Sequence, residues 1–181
     1  MKLPYIKSFA AILLSIALWG ACKQTSDTTS TTTTAESPAL PKAPSFNQDS
    51  AMAFIAKQVA FGPRVPNSKA HLQCGDYLVA TLKNYGWQVT EQAFNVKNYK
   101  GETLKSRNII GSYQPEAKKR ILLSSHWDSR PWADQEDENS KNPVPAANDG
   151  ASGVGVLLEI ARVLKEQPDS LAIGIDIIFF D

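Results

Sequence analysis

Cysteine, histidine and net charge are all scarce in this chain. Of its 181 residues two are Cys and two are His, and 19 basic side chains face 18 acidic ones. Beyond Cys22, near the start, Cys74 stands alone, so the exported part of the chain has no intramolecular disulfide and must be held by its core. The near-balance of charge removes any electrostatic case for nucleic acid or an anionic surface as partner. No apolar run is long enough to span a bilayer, which takes about 20 residues. No internal repeat is visible.

What is present divides the chain into three stretches. Lys2 and Lys7 form a positive n-region, Phe9 to Trp19 an apolar one, and the small residues Gly20 and Ala21 lead into Cys22. That is the layout of a secretory signal. It resembles a bacterial lipoprotein signal, in which the Cys is lipidated and becomes the first residue of the mature protein. Trp19 stands where that family prefers Leu, with Leu18 one place earlier. The expectation is therefore a signal over residues 1–22 with Cys22 lipidated; the alternative is an ordinary cleaved signal. Residues 23–44 are rich in Thr and Ser, with Thr31 to Thr34 in one run and Pro38, Pro41 and Pro44 at the end. Such a stretch has no apolar surface to offset the entropy of ordering and reads as a disordered tether. It would hold a domain on the order of 25 Å from a membrane. Residues 45–181 are long enough for a core of their own. The implied location is the bacterial cell envelope, periplasmic or outer-membrane side, with membrane contact through the lipid anchor only.

Within residues 45–181 the elements alternate. Asp49 can cap a helix that places Met52, Ile55, Ala56 and Val59 on one face, and Gly62 and Pro63 stop it. Phe61 to Pro66 reads as a rigid loop with Arg64 projecting. A second helix from Asn67 or Ser68 to about Tyr85 has Leu72, Leu78, Leu82 and Tyr85 as its stripe; His71 lies off it and reads as a surface residue. Cys74 reads as a packed thiol, with no basic partner evident. Strands follow at Trp87–Val96 and Ser106–Tyr113, turning at Lys100-Gly101. The short link through Gln114-Pro115 predicts that 108–112 and the buried strand Ile121–Leu123 pair antiparallel. Val154, Leu157, Leu158, Ala161 and Leu164 give the clearest helical periodicity, with Pro168 beyond its end. Ile173 to Phe180 is an apolar strand, and strand–helix–strand implies a parallel pair. The fold class is thus α/β: a mixed, mostly parallel sheet flanked by helices, read as interrupted at Asp181. On that reading the flank of Ile173–Phe180 is an open, aggregation-prone edge, and Asp181 sits unheld at a free end.

The strand from Ile121 ends in Ser124-Ser125 and delivers His126 and Asp128 to its C-terminal edge, where α/β sheets bind ligands. Asp149 precedes a glycine-punctuated helix. Alone, His126 reads as a hydrogen-bonded structural residue and Asp149 as a helix cap. Together, a histidine and a carboxylate at one sheet edge are residue types that zinc takes as ligands. His126 and Asp128 alternate along an extended chain and so point to opposite sides, leaving one to face a metal and the other to support it. Gly150, Gly153 and Gly155 fall in the order G-x-x-G-x-G, and no strand runs directly into them, which argues against a dinucleotide fingerprint. They are read instead as letting the helix approach the sheet closely.

Phe61 to Pro66, His126-Trp-Asp-Ser-Arg-Pro-Trp-Ala-Asp134 and Ala147-Asn-Asp-Gly-Ala-Ser-Gly-Val-Gly155, with Ile177 to Asp181, resemble metallopeptidase family 28. Within it they resemble the zinc-dependent glutaminyl cyclases of envelope-anchored bacterial type. The resemblance implies Asp149 as a zinc ligand, His126 as a ligand of a second zinc in aminopeptidase members but not necessarily a ligand in single-zinc cyclases, and Asp128 as the supporting Asp of the His-x-Asp motif. It places the general base, in an acidic pair, and a further zinc-binding His after Asp181. The implied activity is cyclisation of N-terminal glutamine to pyroglutamate with release of ammonia, on peptide or protein N-termini. Zinc aminopeptidase is the alternative, since both reactions use one scaffold. A non-catalytic binding relative is a second. The 181 residues alone, lacking that base, are expected to be inactive.

Overall fold

The computed structural model describes residues 43–138, 140–166 and 171–181. The expected signal with Cys22 lies outside the described residues, as does all of the expected tether except residues 43 and 44; so does Pro168. The elements in order are α1 (Gln48–Ala60), α2 (Lys69–Asn84), β1 (Gln88–Lys97), β2 (Thr103–Tyr113), β3 (Arg120–His126), a π-helical turn (Ala147–Ser152), α3 (Gly153–Glu166) and β4 (Gly174–Phe180). The strands form one four-stranded sheet in the order β1-β2-β4-β3. β1 and β2, and β2 and β4, are antiparallel, while β3 and β4 are parallel.

This order corrects two expectations. Residues 108–112 and 121–123 do not pair, because β4 enters between them, with Ile110 opposite Ile178 and Ser124 opposite Ile178 on the other side. A short link fixes the relative direction of two strands but not who sits between them. β4, expected to carry an open edge, is therefore bonded on both sides. The edges among the described residues are β1 and β3, and Ile121 and Leu122 of β3, expected to be buried, are 47% and 58% exposed.

α3 follows its periodicity closely. Val154, Leu157, Leu158, Ala161 and Leu164 are all buried, packed with Ile175, Ile177 and Phe179 of β4. Each of the leucines is worth roughly 1.5–3 kcal/mol relative to exposure. Glycine lets α3 come close to two other elements: a Cβ on Gly155 would lie 2.7 Å from Ile55 Cγ1 of α1, and one on Gly153 3.0 Å from Ser125 Cβ of β3. α1 lies against α3 through Ala51 and Gln58, whose amide donates to Phe54 O and Ala151 O, rather than through Met52, which is exposed. Its cap is Asn47, whose side chain accepts from the backbone of Asp49 and Ser50. The Asn47 N–H in turn donates to the buried Glu159 carboxylate of α3, which Arg162 also holds at 2.7 Å.

α2 buries His71, Cys74, Leu78, Val79 and Leu82, and leaves Leu72 exposed. Leu78 and Leu82 of the expected stripe are thus buried, but its N-terminal member is His71 and not Leu72. His71, expected on the surface, is interior. Cys74 is a packed thiol; burial pushes its pKa up to about 12, although Arg64 and Arg107 lie close enough to pull it the other way.

Candidate metal centre

β3 ends at His126, so Asp128 lies beyond the strand, and the alternation expected between the two does not hold. Both side chains meet. Asp128 Oδ1 lies 3.1 Å from His126 Nδ1, and Asp149 Oδ1 lies 2.7 Å from His126 Nε2. The imidazole is thus held between two carboxylates. Burial draws its pKa down, but the hydrogen bonds to Asp149 and Asp128 outweigh this and leave it raised.

Asp149 sits in the π-helical turn with non-helical backbone angles, φ −104° and ψ 89°. It does not act as the cap of α3; its carboxylate turns to the imidazole. The neighbouring residue has to be glycine, since a Cβ on Gly150 would lie 2.6 Å from His126 Nε2. Ser125 Oγ stands 3.3 Å from the Gly150 carbonyl and joins the end of β3 to the same turn.

Trp127, between His126 and Asp128, is the anchor that places them. It is fully buried, its N–H donates to Phe180 O, its indole N–H donates to Arg107 O, and its carbonyl accepts from Arg64 Nε. Arg64, expected to project, is itself fully buried and forks onto Pro145 O at 2.6 Å and Ala146 O at 2.8 Å. Ala146 adopts the left-handed region at φ 54°, costly for a residue with a Cβ, and the guanidinium bond to its carbonyl helps hold it there. Arg64 thereby fixes both ends of the long loop after β3. The base of that loop is also closed by Val144 N–H donating to Arg130 O and Ala133 N–H to Asn142 O. Desolvation by burial lowers the Arg64 pKa, against the pull of Cys74 and Asp128, which raise it.

On the inner side of Trp127 stands a second histidine–carboxylate pair, which sequence reasoning missed. His71 stacks on the Trp127 ring, centroids 4.3 Å apart and 16° from parallel. Its Nε2 lies 2.7 Å from Asp181 Oδ2, which also accepts from Arg107 N–H at 2.8 Å. Asp181 N–H donates to Asn108 Oδ1. Asp181, expected to be unheld, is therefore fixed by three neighbours, and it faces His71 rather than the pair of His126 and Asp149. A signal for His71 existed: it is three residues before Cys74 and seven before Leu78, on the face that is in fact buried.

His126 and Asp149 fit a divalent metal by the chemistry of their donors. An imidazole nitrogen and a carboxylate oxygen face each other, and Asp149 is exposed and free to re-aim. Asp128 on the far nitrogen leaves Nε2 as the ligating atom, the carboxylate–histidine arrangement seen around zinc. No group of three or more His, Cys, Asp or Glu side chains is gathered for a metal among the described residues. The pair supplies two donors, where zinc takes at least three from the protein.

Residues 108–181 match the model of Peptidase family M28. A solved glutaminyl cyclase of Bacteroides thetaiotaomicron, bound to N-acetylhistamine, is 54% identical with a TM-score of 0.73, over 76% of this chain and 47% of its own. A solved Zn-dependent exopeptidase of Parabacteroides distasonis is 52% identical with a TM-score of 0.74, over 77% of this chain and 48% of its own. Glutaminyl-peptide cyclotransferase of Drosophila melanogaster is 30% identical over 122 residues, 66% of this chain and 32% of that protein. The chain thus spans about half of each solved relative and a third of the curated one.

Proposed function

From the match of residues 108–181 to the model of Peptidase family M28, we propose that this chain carries part of a zinc-dependent glutaminyl-peptide cyclotransferase. The observation behind this reading is the His126 imidazole held between Asp149 and Asp128 at the C-terminal edge of β3, together with the likeness to solved glutaminyl cyclases. In this reading His126 Nε2 and the Asp149 carboxylate hold the metal, and Asp128 fixes the imidazole tautomer through Nδ1. When bound, zinc supplies Lewis acidity toward the γ-amide carbonyl of an N-terminal glutamine. Arg64 and Trp127 keep the two loop ends from shifting, which a metal site requires to within a fraction of an ångström. The product is an N-terminal pyroglutamyl residue and ammonia.

The likeness to a Zn-dependent exopeptidase favours a second reading, aminopeptidase, in which the same donors serve hydrolysis of the first peptide bond. Assaying the complete protein on glutaminyl peptides and aminoacyl anilides separates the two. Ammonia release with the peptide bond intact is expected; release of free amino acid would overturn the cyclase reading. The chain is further proposed to act on peptide or protein N-termini at the bacterial envelope, tethered by a lipid on Cys22. Cys22→Ser should move the protein from the membrane fraction to the soluble one, and continued retention would count against the anchor.

A further inference from the structure

A cleft of about 600 Å³ opens beside Asp128, and nothing in the mechanism above uses it. Three segments build its walls: Val65 and Pro66 from the loop before α2, Tyr99 and Leu104 from the β1–β2 hairpin, and Pro131 and Trp132 from the loop after β3. The rings of Tyr99 and Trp132 stand edge to face at 6.4 Å, and the Lys100 ammonium lies 4.5 Å from the centre of the Trp132 ring. Tyr99 is 80% exposed, so this aromatic rim is not there to fill the core. Ser129 also lines the cleft, is 2% exposed, and its hydroxyl has no hydrogen-bond partner. A buried hydroxyl without a partner costs free energy unless a ligand supplies one.

We propose that this cleft is a subsite for the part of a peptide that follows its N-terminal residue, and that it selects an apolar or aromatic side chain there. The proposal rests on the reading of the site as one for peptide N-termini. Continuity carries it: Asp128 belongs at once to the cleft wall and to the hydrogen bond that orients His126. A chain whose first residue lies at His126 and Asp149 therefore has this cleft as the adjoining space for its next residues. The volume is within the range of small-ligand pockets and accommodates a large side chain with some backbone. The lining is mainly apolar with a few polar groups. Glu102 accepts from the Asn98 amide at 2.8 Å and Arg130 pairs with Asp134 at 3.1 Å, so both side chains already have partners within the protein. Apolar recognition with one backbone bond to Ser129 Oγ is the occupant that fits.

The test is direct binding, which does not depend on turnover. Two peptide amides, Gln-Gly-NH2 and Gln-Phe-NH2, are titrated calorimetrically into the complete protein treated with chelator, so that neither reacts. The phenylalanine peptide is expected to bind on the order of tenfold tighter, the scale at which a hydrophobic pocket discriminates. Trp132→Ala and, separately, the exposed Tyr99→Ala should each bring the two affinities together. Equal affinities in the unaltered protein, or a preference that persists in both variants, would overturn the subsite. Absence of cyclase and aminopeptidase turnover in the metal-loaded protein would instead remove the proposed activity, leaving the binding comparison to decide the cleft.

Discussion

Trp127 has a histidine–carboxylate pair on either side of it, and the two could hardly be more differently placed. His126 and Asp149 expose 44% and 72% of their side chains; His71 and Asp181 expose 1% and none. Contact distances are the same, 2.7 Å in each. What differs is what water and other ligands can reach. The outer pair can exchange a proton for a metal and its carboxylate can turn, so it suits chemistry. The inner pair is bound to a stacked ring and a backbone N–H, and it suits positioning. A His next to an Asp is therefore not itself a functional signature; access and the freedom of the carboxylate decide.

The comparison is broken most severely at the outer pair. Asp149→Ala should lower zinc affinity by more than about 100-fold, beyond what outer groups around a metal usually cost, while leaving the unfolding midpoint nearly unmoved because the side chain is mostly exposed. Elemental analysis and denaturant unfolding on one preparation test both halves, and unchanged metal content would sink the ligand assignment. At the inner pair the order reverses. His71→Leu keeps the volume but leaves Asp181 buried without its partner, which should cost about 3–5 kcal/mol of stability. A denaturation curve that superimposes on the unaltered protein's would show that the pair is not structural.

Acid offers a third way in, through another interior carboxylate. Arg162, with the Asn47 N–H, holds the Glu159 pKa down to about 2 against an ordinary 4.5. Its folded-state pKa is depressed, so its contribution is complete above about pH 4.5 and is lost as the pH falls toward 2. Glu159→Gln should flatten stability against pH across that window by about 2–3 kcal/mol. Parallel curves for the two proteins would remove the assignment. The smallest effect belongs to Asp128→Asn, which keeps the shape but weakens the bond to His126 Nδ1. Zinc affinity should fall 10–100-fold, with stability unaffected; an unchanged affinity would mean that Asp128 does not orient the ring.

Much of this was legible in the chain. The spacing of Val154 to Leu164 places α3, and the glycines at 150, 153 and 155 each sit where a Cβ would strike a neighbour. The meeting of Asp149 with His126 followed from a strand end and a helix start at one sheet edge. Three of the departures share a cause: a partner supplied from far along the sequence. An apolar template passes over His71 for Leu72, yet Trp127 and Asp181 bury it. Arg64 has as acceptors the backbone carbonyls of a distant loop, which leave no local signal. The entry of β4 between β2 and β3 lies in pairing energetics that no short link records.

The fork of Arg64 has a use in engineering. Because one buried guanidinium pins the carbonyls of Trp127, Pro145 and Ala146, and Val144 is tied back to Arg130, the path between Ala133 and Asn142 is closed off at its root like a knotted balloon. Strain introduced beyond the knot should therefore not reach His126. On that expectation the bulge is a grafting locus, where a reporter peptide or affinity epitope can be spliced in with the C-terminal end of β3 left as it is.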